Sequence, residues 1–216
     1  MRNRKVIIIL LLVLALAIVA FTGTTVAANG RSRYTATMRV HPSQDPTTPI
    51  VPGSSATLVT NRRGATVRIK TTLTPGHAAT VWWAIINNPA ACATSPCTAA
   101  DILGNTAAVE AQVSYATGQV VRRDGQVAFS ARLRKGAVPG GWYAGQEFTN
   151  PTEAEIHVII NDHGPVLREF MPGMIETYRG GCTDESLPAA FPDSAKADGE
   201  PGPNTCRLVQ FAIFQQ

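Results

Sequence analysis

The run Glu155-Ile156-His157-Val158-Ile159-Ile160-Asn161-Asp162-His163-Gly164-Pro165 brings two histidines, a glutamate and an aspartate together within eleven residues of this 216-residue chain. Alternation with a period of two puts Glu155, His157 and Ile159 on one strand face and Ala154, Ile156, Val158 and Ile160 on the other, so a carboxylate and an imidazole project side by side. His163 is expected just past the strand end. With His77 or Glu155 as a further ligand, His157 and His163 make a candidate site for zinc or copper, metals that take neutral imidazole nitrogen. The plainer reading is an Asp-His-Gly-Pro turn whose side chains bond local backbone, with His157 a packed or solvated strand residue. Five intervening residues, at about 3.3 Å each, hold the two rings more than about 15 Å apart unless the turn folds back.

Other chemistry is thinner. The chain contains no G-x-S-x-G elbow, H-E-x-x-H pair, phosphate-binding loop, C-x-x-C pair or dinucleotide fingerprint between a strand and a helix, and no nucleophile stands with an identifiable base. No catalytic residue is therefore assigned. Gly140-Gly141-Trp142-Tyr143-Ala144-Gly145 reads as a loop bearing two aromatics, because no helix follows it to hold a phosphate. Asp193, Asp198 and Glu200 miss the spacing of a calcium loop and read as a solvated acidic segment. The adjacent Trp82 and Trp83 must point to opposite faces of a strand. One of them either meets a carbohydrate or covers a second layer of structure.

These residues need strands to hold them. Alternation begins at Arg33 and runs to Val40, and Ser55 to Thr60 and Ala65 to Leu73 flank a four-residue turn, Asn61-Arg62-Arg63-Gly64, as a hairpin. After the Thr74-Pro75-Gly76 turn, Ala78 to Ile86 is a continuous apolar run, as in a strand buried on both faces. Val113 to Val121 and Gln126 to Leu133 read as another hairpin about Arg122-Arg123-Asp124-Gly125. Ala154 to Ile160 and Arg207 to Phe214 are the last strands. Residues 87–112 are irregular with a helical turn after Asn105 or Thr106, and 165–205 form mostly loop with a short helix near Met174 to Tyr178. Seven or eight short strands without a long amphipathic helix predict an all-β, Greek-key-like β-sandwich, a single domain over residues 29–216. Its expected core contains Val67, Ile69, Val81, Ile85, Val127, Phe129, Ile156, Val158, Val209 and Phe211.

Residues 1–28 have the order of a signal peptide: Arg2, Arg4 and Lys5, then the apolar run Val6 to Phe21, then small residues ending at Ala28. An uncleaved anchor is the alternative. The leader holds three of the 19 Lys and Arg and none of the 15 Asp and Glu, so its removal leaves 16 against 15, a net charge near +1. A nearly neutral chain with no basic run interleaved with aromatics predicts neither nucleic acid nor, after cleavage, membrane as a partner. An unidentified protein or glycan at the loops 41–54, 87–104 and 134–151 is the expected contact. Export to the cell exterior or a periplasm makes four cysteines read as two disulfides. Sequential pairing, Cys92 with Cys97 and Cys182 with Cys206, is favoured because each bridge then pins a loop with little core of its own.

The segments LTPGHAATVWWAIINNPAAC (73–92), AEIHVIINDHGP (154–165) and CRLVQFAIF (206–214) resemble a group of secreted bacterial proteins of unassigned function. More distantly they resemble the chordin-type (CHRD) domain, an extracellular β-sandwich. The resemblance covers most of residues 33–216 and implies location and fold more than activity. The CHRD pattern has two strand histidines separated by one residue and followed by Gly, whereas His157 and His163 are separated by five. The expectation is an exported, disulfide-stapled, non-catalytic binding or structural module without a cofactor, with zinc or copper binding as the alternative.

Overall fold

A computed structural model describes residues 25–27 and 30–216, the first three by backbone alone. Of the expected leader, only Thr25–Ala27 lies among them, as the edge strand β1. The other strands are β2 (Arg31–Ala36), β3 (Arg39–Val40), β4 (Ser55–Asn61), β5 (Gly64–Thr72), β6 (His77–Ile86), β7 (Ala111–Val120), β8 (Gln126–Arg134), β9 (Gly136–Ala137), β10 (Glu147–Phe148), β11 (Glu155–Pro165) and β12 (Arg207–Phe214). Four short helices lie between them: α1 (Ala99–Gly104), α2 (Thr106–Val109), α3 (Gly173–Glu176) and α4 (Asp193–Lys196). Two five-stranded antiparallel sheets result, sheet A in the order β1-β2-β4-β5-β8 and sheet B in the order β3-β12-β11-β6-β7. They form the expected all-β sandwich.

Period-two alternation decides which residues meet between the sheets. Leu58, Val67, Ile69, Val127, Phe129 and Leu133 from sheet A pack against Val81, Trp83, Ile85, Ile156, Val158, Ile160 and Phe214 from sheet B. Eight of the ten expected core residues lie in this cluster, and Val209 packs on its edge. Phe211 does not. Ile160 pairs with Gln210 but Asn161 pairs with Leu208, so Val209 is an extra residue in β12. This bulge reverses the alternation, as an unpaired insertion must. Gln210, Ala212 and Phe214 then point inward, while Phe211 packs edge-on against the His41 ring.

The expected hairpin between Val113 and Leu133 is also corrected. β7 pairs with β6 in sheet B and β8 pairs with β5 in sheet A, so Arg122-Arg123-Asp124-Gly125 carries the chain from one sheet to the other. Thr74-Pro75-Gly76 makes the same crossing between β5 and β6. The two arches are hydrogen-bonded together: the Leu73 amide donates to Gly125 O at 2.9 Å, and the Gly76 amide donates to Val121 O at 3.0 Å. Both arches bury apolar residues on either side, Leu73 for one and Val121 with Val127 for the other, and a flat hairpin would leave these in water. Gly125 has φ +72°, and a Cβ there would sit 3.0 Å from Leu73 O, so both conformation and packing require glycine.

Candidate functional site

Sheet B carries a second apolar layer on its outer face. Trp82, Ala84 and Ile86 of β6 and Ala111 and Val113 of β7 point away from the sandwich core and pack with Ile102, Val109, Trp142, Tyr178 and Ala195. The covering residues come from α1, α2, α4 and the loops 135–146 and 166–206. Thus Trp83 joins the sandwich core and Trp82 joins this layer, where its ring meets Trp142, Tyr178 and Tyr115 at centroid distances of 5.2–5.9 Å. Both expected disulfides form, and each closes part of the cover: Cys92–Cys97 precedes α1, and Cys182–Cys206 clamps the long loop before β12.

The strand bearing the histidines is longer than Ala154 to Ile160 and continues to Pro165. His163 therefore lies within β11, six residues beyond His157, a span of about 20 Å at strand rise. Its Nδ1 donates to Gly180 O at 2.9 Å, a carbonyl that can only accept, so the neutral ring carries its proton on Nδ1 and accepts at Nε2. Thr80 Oγ1 then donates to Nε2 at 2.9 Å while accepting the Trp82 indole N–H at 2.8 Å. Asn161 Nδ2 adds donations to the same Nε2 and to Tyr178 O. Burial pushes the His163 pKa down, against the bond to Gly180 O and the charge of Asp162. This network joins β6, β11 and the loop carrying Tyr178 and Gly180.

Glu155 and His157 are brought together at the opposite end of the strand. His157 Nε2 lies 2.6 Å from Glu155 Oε1, which also accepts the Cys97 amide at 2.8 Å, and both side chains are buried. A carboxylate orienting an imidazole is two parts of a general-base arrangement, but among the described residues no serine, threonine or cysteine is hydrogen-bonded to His157. His77 is placed elsewhere, with Nδ1 2.9 Å from Asp162 Oδ1. Asp162 also accepts the Gly164 amide, supporting the irregularity that lets Pro165 pair with His77. The four expected metal ligands thus divide among three separate hydrogen-bonding groups. Among the described residues, one trio has potential ligand atoms all within 4.8 Å of one another, His163, Cys182 and Cys206. Its two sulfurs form a disulfide, which removes the thiolates a soft metal needs.

Between the two polar ends of β11 the covering layer leaves an apolar cleft of about 500 Å³. Ile159 and Leu208 form its floor with Trp82, and Ile102, Leu187 and Phe191 form its walls. His41, Ser43 and Gln44 from loop 41–54, Ala99, Ile102 and Leu103 from loop 87–104 and Trp142 from loop 134–151 all border it, so the three loops expected to make contacts share one cavity. The Trp142 indole N–H is buried without a hydrogen-bond partner. Burial lowers the pKa of His41, at the rim, to about 4. No family model, curated protein or solved structure matches the chain.

The wall residues of the cleft carry no periodic signal, because they lie in irregular segments. Their signal was the presence of large apolar side chains, Ile102, Leu103, Tyr178, Leu187 and Phe191, inside otherwise polar, Pro- and Gly-rich loops. Apolar residues in such loops need a surface to cover.

Proposed function

We propose that the protein is an exported, non-catalytic binding module that holds a small apolar ligand in the cleft on the outer face of sheet B. The observation that carries this reading is the cleft itself: an apolar cavity of about 500 Å³, within the range of small-molecule sites, formed by the loop layer over a rigid sheet. Aromatic walls favour a ring-bearing ligand. Two disulfides support an oxidising compartment, and among the described residues no helix is long and apolar enough to cross a membrane. The resemblance to secreted proteins and to the CHRD domain points the same way.

Prodan, a neutral naphthalene fluorophore carrying one ketone, tests the cleft. Its emission is expected to shift to the blue with saturable, micromolar affinity, and Leu103→Glu with Leu187→Glu is expected to weaken binding about tenfold or more by placing charge at the apolar wall. An unchanged emission, or equal binding by the variant, contradicts the reading. A second reading, zinc or copper binding, keeps Glu155 and His157 as neighbouring donors. Calorimetric titration with Zn²⁺ gives a stoichiometric signal lost in His157→Ala if that reading is correct, and no heat if it is not.

A further inference from the structure

Among the described residues, none forms a layer over the outer face of sheet A. Alternation along its four long strands leaves Arg31 and Arg33 of β2, Arg68 and Lys70 of β5, and Arg132 and Arg134 of β8 exposed, while Tyr34, Leu58, Val67, Ile69, Phe129 and Leu133 turn inward. β2, β4, β5 and β8 contain no Asp or Glu. None of the six cations forms a salt bridge to a described residue. The register places Arg33, Val59, Thr66 and Arg132 on one rung across the sheet, and Thr35, Thr57, Arg68 and Ser130 on the next. On the first rung short side chains thus lie between Arg33 and Arg132, about 14 Å apart at the backbone, three strand spacings, and on the second Arg68 stands two spacings from β2. The trough between them has a volume of about 550 Å³ and a floor including Ser55, Thr57, Val59 and Thr66.

From this face we infer a second binding site, for an anionic polysaccharide lying along the trough. Side chains two residues apart on one strand repeat at about 6.6 Å, so Arg31 with Arg33 and Arg68 with Lys70 present recurring charge to a polymer with recurring anions. The hydroxyls of Ser55, Thr57 and Thr66 add donors and acceptors suited to sugar hydroxyls. A single-stranded nucleic acid needs stacking platforms, and the strand residues on this face include no aromatic ring. A bilayer site needs apolar anchors, yet the exposed large hydrophobics among the described residues are Ile50 and Val120, neither on this face. The basic residues are dispersed in sequence and paired with no acidic run, so the chain's modest net charge of +4 conceals them.

The test uses immobilised dextran sulfate with neutral dextran as reference, together with phosphatidylserine-containing vesicles and single-stranded DNA. The protein is expected to bind dextran sulfate alone among the four, with affinity falling steeply as salt rises. Arg33→Gln, Arg68→Gln and Arg132→Gln together are expected to weaken binding by about tenfold or more, since each removes one exposed ionic contact. Arg122→Gln, Arg168→Gln and Lys196→Gln remove the same charge elsewhere and are expected to leave affinity within about twofold. Equal losses in the two triple variants, no retention, or stronger binding to vesicles or DNA overturns the proposal. Prodan binding by the Arg33/Arg68/Arg132 variant reports separately on the apolar cleft.

Discussion

The two sheets share a core and differ on their outer faces. Sheet B hides Trp82 and the polar groups of Glu155, His157, Asn161 and His163 beneath a layer of loops and short helices, stapled by both disulfides. Sheet A presents Arg and Lys with no layer above them among the described residues. The difference follows from strand composition. β6 is apolar at every position from Ala78 to Ile86 except Thr80, so both its faces must be buried, whereas β5 and β8 alternate and need only one partner. Burial of polar groups on sheet B demands a partner for each, which makes that face specific and fragile; charge on sheet A demands only solvent, which makes that face tolerant of change.

Breaking the cover should have the largest effect. Cys182→Ala with Cys206→Ala opens a bridge of sequence separation 24, and the expected loss of stability is about 3 kcal/mol, measured by denaturant unfolding. Prodan binding should fall with it while dextran sulfate binding persists. His163→Ala comes next: it leaves Gly180 O and Thr80 Oγ1 without their buried partner, at an expected cost of about 2 kcal/mol. Loss of both binding activities in either variant would show that the faces are not independent.

Acid sharpens the same contrast. His163 and His41 have folded pKa values lowered by burial, His41 to about 4, so the unfolded chain takes up protons first as the pH falls through the ordinary histidine value near 6.5. Stability is therefore expected to be full above that value and to decline toward pH 4. His41→Gln should flatten part of this slope in unfolding titrations. The smallest stability effect belongs to sheet A, where Arg33→Gln, Arg68→Gln and Arg132→Gln should each change unfolding free energy by less than about 0.5 kcal/mol.

Sheet A was legible residue by residue, because strict alternation in β4, β5 and β8 reports both strand and inward face. Pairing was less so. Arg122 to Gly125 has the composition of a hairpin turn, and only the burial needed by Leu73, Val121 and Val127 distinguishes an arch between sheets. The bulge at Val209 left no local mark, which is why Phe211 was placed on the wrong face. In the site, Glu155 beside His157 follows from period two, but Gly164-Pro165 is a turn signal and places His163 in a turn when read from sequence alone. Its place in β11 depends on Thr80 and Gly180, which lie 83 and 17 residues away. Convergence of that kind has no signature in a single chain.

Nuclear magnetic resonance of the indole and guanidinium N–H groups tests the division between the two faces most directly. The chain has three tryptophans, one in the sandwich core and two in the layer over sheet B. Prodan is expected to move the Trp142 and Trp82 resonances and leave Trp83 and the sheet A arginines in place. Dextran sulfate is expected to move Arg33, Arg68 and Arg132 and none of the indoles. Shifts of the same resonances by both probes, or of neither set, would contradict the account.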